Sequence, residues 1–93
     1  MAGTNTFQGS QTQLNCNGSA FIAKTGTGRI CKLFVNTAGA GASLNDCATT
    51  GAAAASNLIV NIPNAVGSYD VQMPFFQGLC VTPGSAVFSL SFE

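Results

Sequence analysis

Few side chains in this chain have chemical reach: Cys16, Cys31, Cys47 and Cys80, the carboxylates Asp46, Asp70 and Glu93, the bases Lys24, Arg29 and Lys32, and no histidine. Thiols in two close pairs would suit structural zinc, but these four are spread widely and contain no C-x-x-C. Two disulfides, in any of three connectivities, and buried thiols acting as small hydrophobes are both compatible with the spacing. Without histidine, Ser–His–Asp and Cys–His nucleophiles are excluded and the commonest metal ligand is missing. Asp46 and Asp70 could in principle form a glycosidase pair, yet their settings read as turn-capping or solvent-facing acids. Asn45 with Asp46 offers at most a weak calcium site, since one carboxylate carries too little charge. Gly26-Thr27-Gly28 lacks the Gly-Lys-Ser/Thr of a phosphate loop and leads into a strand pattern, so turn chemistry accounts for its glycines. The expectation is no enzyme, no metal and no cofactor.

The composition of the 93 residues points to association. Charged residues make up 6% of the chain, against about 25% in ordinary soluble domains, while 46% are hydrophobic. Three basic residues cancel three acidic ones, and a chain near zero net charge tends to associate. Nucleic-acid binders concentrate Lys and Arg to displace counterions; Lys24, Arg29 and Lys32 are too few, so no nucleic acid is expected as a partner. No apolar run approaches the roughly 18 residues of a membrane span, and MAGTNTFQGSQTQ lacks the basic start and apolar core of a signal peptide. Synthesis as a soluble cytosolic protein, with no membrane partner, is expected, unless a leader has been replaced by Met1. The length suits one domain, whose stability is marginal without added contacts.

The elements that must position these groups read as short strands. Ala86, Phe88, Leu90 and Phe92 alternate with Val87, Ser89, Ser91 and Glu93, the period of a half-buried strand. Leu79-Cys80-Val81 precedes it across Thr82-Pro83-Gly84-Ser85, read as a type II turn in a connection that is longer than a tight hairpin or passes between sheets. Residues 1–18 are read as a flexible N-terminal arm, with ordering against a neighbouring subunit as the alternative. Ser19 to Lys24 and Arg29 to Asn36 read as an antiparallel hairpin about the glycine-rich turn, and Thr37 to Ala42 as a flexible connector. Ser43 to Ala48 is a short strand with Leu44 in the core. The run TTGAAAAS is too short for a free-standing helix and reads as a loop or one helical turn. NLIVNI is a buried strand, and Ser68 to Met73 another, closed by Pro74. The fold expected is all-β, a small antiparallel β-sandwich or jelly-roll-like barrel of six to eight short strands, with residues 19–93 as its single domain.

Surface suited to contact is plentiful. Phe75-Phe76 at a strand end is more often a core pair. The other reading turns one ring outward as a contact patch while the other anchors the core, and Phe7 and Tyr69 join them as interface candidates. Edge strands in so charge-poor a sheet are open to pairing with another chain.

The runs GRICKLFVNTAG (28–39), DCATTGAAAASN (46–57) and IPNAVGSYDVQMPFFQGLCVTPG (62–84) resemble a group of small proteins encoded among the structural genes of tailed phages and prophages. The resemblance covers about residues 19–92 and carries no chemical signature, and the four cysteines are not part of its pattern. It implies a virion component, a capsid decoration (cement) or head-fibre subunit made in the host cytoplasm, with itself and the major capsid protein or other virion proteins as partners. A trimer, or failing that a dimer, is the implied assembly. Two alternatives stand beside it: a glycan- or receptor-binding module of a phage fibre or tail, and a secreted surface structural subunit joined by donated strands.

Overall fold

A computed structural model describes residues 11–93. They form eight strands: β1 (Gln11–Gly18), β2 (Phe21–Thr25), β3 (Gly28–Thr37), β4 (Ser43–Asp46), β5 (Leu58–Asn61), β6 (Gly67–Phe75), β7 (Gly78–Thr82) and β8 (Gly84–Phe92). All pairings are antiparallel. One four-stranded sheet has the order β1-β8-β3-β6 and the other β2-β7-β4-β5. The fold is therefore an all-β sandwich.

Its core is built from the alternation that the sequence displays. Ala86, Phe88, Leu90 and Phe92 of β8 are buried, together with Ile30, Leu33 and Val35 of β3 and Phe75 of β6; the second sheet contributes Leu44, Leu79 and Val81. Each such aliphatic or aromatic side chain contributes roughly 1.5–3 kcal/mol by leaving water. One extra residue in β3, between the pairs Ile30–Phe92 and Lys32–Ser91, lets Ile30 and Leu33 both point inward despite their odd spacing.

Several expectations need correction. Residues 11–18 of the expected arm are strand β1, hydrogen-bonded to β8, while Phe7 and the rest of that arm lie outside the described residues. β2 and β3 do not form a hairpin; they belong to opposite sheets. The linking turn is held from outside, with Gly26 N donating to Gln77 O and Arg29 N to Glu93 O. Gly28 lies so close to Glu93 O and the Phe75 ring that a Cβ would collide with both. The β7–β8 connection does pass between sheets, and Gly84 takes the positive φ (61°). Its hydrogen bond runs from Ala86 N to Pro83 O, one residue later than the expected type II turn. A Cβ on Gly84 would strike Ala40 O, because the segment expected as a loose connector is docked there: Ala40 N donates to Ser85 Oγ and Ser85 N to Ala40 O. NLIVNI yields β5, a half-exposed edge strand in place of a buried one. Pro74 lies within β6, on the edge of its sheet, where a missing N–H costs no ladder bond.

Candidate interaction surface

The four edge strands, β1 and β6 of one sheet and β2 and β5 of the other, share one device. Each carries an extra residue relative to its neighbour. On β1, Gln13 and Cys16 face Leu90 and Phe88; on β6, Met73 and Asp70 face Ile30 and Lys32. On β2, Ile22 and Lys24 face Cys80 and Leu79; on β5, Val60 and Leu58 face Leu44 and Asn45. The two non-glycine residues with positive φ, Asn15 (55°) and Gln72 (53°), sit in the bulges of β1 and β6. A bulge twists an edge away from a straight incoming strand. A strand arriving at any of these four edges would thus meet an irregular ladder.

The most prominent such surface begins at the β6–β7 turn. Asp46, the last residue of β4, aims its carboxylate at that turn and accepts backbone N–H groups from Phe76 (3.0 Å), Gln77 (2.7 Å) and Gly78 (3.3 Å). A carboxylate with several N–H donors holds them more firmly than neutral acceptors would. The turn is thereby fixed with Phe75 fully buried and the Phe76 ring 65% exposed. Beside it the sandwich is open between β5 and β6, where Leu58 and Met73 are exposed. A cleft of about 350 Å³ there is lined by Ile59, Val60, Pro63, Tyr69, Val71 and Met73. Tyr69 packs its ring on the core and donates its hydroxyl to Ala65 O at 2.9 Å. Leu58 and Met73 meet Pro74 and Gln77, the residue after Phe76, in a further recess, and Met73 continues into the cleft. Exposed apolar groups thus run down this side as a strip interrupted by Asp46, Ser56, Asn57 and Gln77.

A second apolar feature lies on the outer face of the β1-β8-β3-β6 sheet. Phe34, half-exposed, stands between its cross-strand partners Ser68 and Ser89, beside a groove of about 250 Å³ that also touches Thr12, Lys32 and Ser91. The ion pair Lys32–Asp70 (3.7 Å) borders it, with both side chains well exposed.

The opposite outer face, on β4 and β7, is covered by the chain's own Ala/Thr loop. That loop forms two 3-10 turns, Thr50–Ala52 and Ala55–Asn57. Buried Asn45 donates through Nδ2 to Ala54 O (3.0 Å) and Asn57 Oδ1 (2.9 Å), and Asn57 in turn donates to Ala52 O (2.9 Å). Two amides therefore latch an alanine-rich segment that is too short to hold a helix by itself. Cys47 and Cys80 are buried on this face. All four cysteines are buried free thiols. Burial pushes the Cys80 thiol up to about 11, helped by the neighbouring Cys47, and burial raises Cys16 to about 11 as well. Cys31 lies near the other end of the first sheet, with its sulfur 3.8 Å from Glu93 Oε2, which also pairs with Arg29 (3.2 Å).

The two carboxylates that might have formed a pair are engaged in different places. Asp46 spends its oxygens on backbone donors, which leaves the calcium reading without a ligand, and Asp70 sits in its surface ion pair. Among the described residues, no group of three or more His, Cys, Asp or Glu side chains could hold a metal ion, and no helix is long and apolar enough to cross a membrane. Of the interface candidates, Tyr69 and Phe76 reach the apolar strip, while Phe75 anchors it from inside. Met73, Leu58 and Phe34 were not foreseen as surface. Met73 does share a face with Tyr69 and Val71, as the alternation predicts, pairing with inward-facing Ile30 and lining the cleft with them; it is exposed because β6 is an edge strand. No protein-family model, curated protein or solved structure matches the chain.

Proposed function

We propose that this chain is a non-enzymatic structural subunit of a phage virion, of the capsid decoration or head-fibre type, that docks onto shell proteins through its apolar side. The observation that carries the reading is the Phe76 strip: a large exposed aromatic on a turn held rigid by Asp46. Leu58 and Met73 are exposed as well and line a recess with the next turn residue, Gln77, on a chain with no net charge to oppose association. Rigid aromatic anchors dominate interface energetics because little conformational entropy is lost on docking. Bulged edges support docking by faces, and many modest contacts on a repeating shell add up through multivalency. Self-association into a trimer at local threefold positions belongs to the same reading. The resemblance of residues 19–92 to small phage structural proteins supports the choice of partner.

The test is co-sedimentation of the purified protein with shells assembled from the major capsid protein of the same genome. The expected result is binding at a fixed ratio to shell subunits, lost in Phe76→Ser and Met73→Ser variants that remain folded. A second reading, a glycan-binding module, is favoured by the exposed Phe76 ring beside the Gln77 amide, a pairing suited to stacking on a sugar. No sedimentation with shells, together with Phe76-dependent retention on immobilised glycans, would put that reading in place of the first.

A further inference from the structure

We propose that Cys47 and Cys80 form an oxidisable dithiol that closes to a disulfide between β4 and β7, while Cys16 and Cys31 remain thiols. The argument is one of register and stands apart from the functional reading above. Asn45 faces Cys80 and Asp46 faces Leu79, and Cys47 N continues the ladder by donating to Gly78 O at 3.2 Å. Residues directly opposite share a face, as do residues two apart on one strand. Cys47 and Cys80 are therefore diagonal neighbours on the outer face of this sheet. Gly78, the direct partner of Cys47, has no side chain to stand between them. Cys47 is also close enough to Cys80 to help raise its thiol.

The other pairings fail on placement. Cys16 faces Phe88 inside the sandwich. Cys31 belongs to β3, which β8 separates from β1, and its sulfur lies against Glu93 and the Arg29 carbonyl. A diagonal pair begins with Cα atoms about 7 Å apart, just beyond the usual reach of a disulfide. Cys47 lies past the last residue of β4, and β5 does not pair with it, so it is free of a ladder on one side and can close the remaining distance. With a small disulfide such as oxidised glutathione as oxidant, the slightly more exposed Cys47 (4% against 0%) is the first to react. Its thiolate attacks one glutathione sulfur and expels a glutathione thiolate. The Cys80 thiolate then attacks the Cys47 sulfur and expels the second glutathione. The two cysteines lose two protons and two electrons in total, and one oxidised glutathione becomes two reduced ones. The bond would pin the loop that Asn45 and Asn57 already latch.

The experiment treats the folded protein with oxidised glutathione, alkylates it in denaturant, and maps linked peptides by mass spectrometry. The expected product carries two alkylated cysteines, Cys16 and Cys31, and one peptide pair joined through Cys47 and Cys80. Cys16→Ala leaves that link intact, whereas Cys80→Ser abolishes it and leaves Cys47 as a glutathione mixed disulfide. Four alkylated cysteines after exhaustive oxidation, or a link involving Cys16 or Cys31, would overturn the assignment. A repeat with the minor variant Cys31→Ser, in which the link must again form, separates specific pairing from scrambling.

Discussion

Replacing Asp46 by alanine removes the acceptor that gathers the β6–β7 turn. Hydrogen bonds to a charged acceptor contribute about 1.5–3 kcal/mol each, and three backbone N–H groups share this one. The full sum does not apply, because Phe76 and Gln77 sit at an exposed tip where water takes over as acceptor. Gly78 is buried, so its N–H and the order of the turn are the lasting losses. The expected cost is about 2–3 kcal/mol, or roughly 10–20 °C in Tm for a domain of this size. Asp46→Asn keeps one oxygen in place without its charge and should lose about 1 kcal/mol. Urea unfolding at neutral pH measures both, with Asp70→Ala as the control: its exposed ion pair with Lys32 should change stability by less than about 0.5 kcal/mol. An Asp46→Ala variant no less stable than the Asp70→Ala control would refute the claim that the carboxylate organises the turn.

Two further outcomes follow from the interior. Asn45→Ala deletes both donors that hold the Ala/Thr loop, with an expected loss of about 2 kcal/mol and protease cleavage appearing within residues 47–57. Stability should also fall in alkali: Cys16 and Cys80 hold their protons to about pH 11 when folded, against 9.0 for an ordinary thiol. The unfolded chain releases those protons first, so it gains stability relative to the fold as pH rises. The urea midpoint should be level below about pH 9 and decline from there towards pH 11, and replacing both cysteines by alanine should flatten that decline.

Fold class was legible because alternation is a local signal. Ala86 to Phe92 show it in full, and Leu44 between Ser43 and Asn45 shows it in miniature. For Phe75-Phe76 the sequence favoured a paired core aromatic, and the structure takes the other reading, one ring in and one out, because a strand end leaves adjacent side chains on opposite sides. What escaped was non-local. Nothing in Gly26-Thr27-Gly28 says that Gly26 will bond to Gln77 and Arg29 to Glu93, and those distant partners send β2 and β3 into different sheets. A bulge is one added residue with no residue type of its own, so the irregular edges at Asn15 and Gln72 left no mark in the sequence. Asp46 could be read as a turn-capping acid, but the turn it caps lies thirty residues further on. β1 was hidden because Gln11 to Gly18 offers few large apolar groups; its place comes from β8 beside it.

The position of β8 also governs how the protein can come into being during synthesis. β1 is made first among the described strands, yet its only ladder partner is the last, and β3 likewise waits for β8 on one of its two sides. A ribosome delivering the chain in order must therefore expose Ile30, Leu33 and Val35 before Phe88, Leu90 and Phe92 exist to cover them. Folding of this sandwich is a single late event that follows translation of its final strand, and the interval before it is when the chain most needs protection from its own kind.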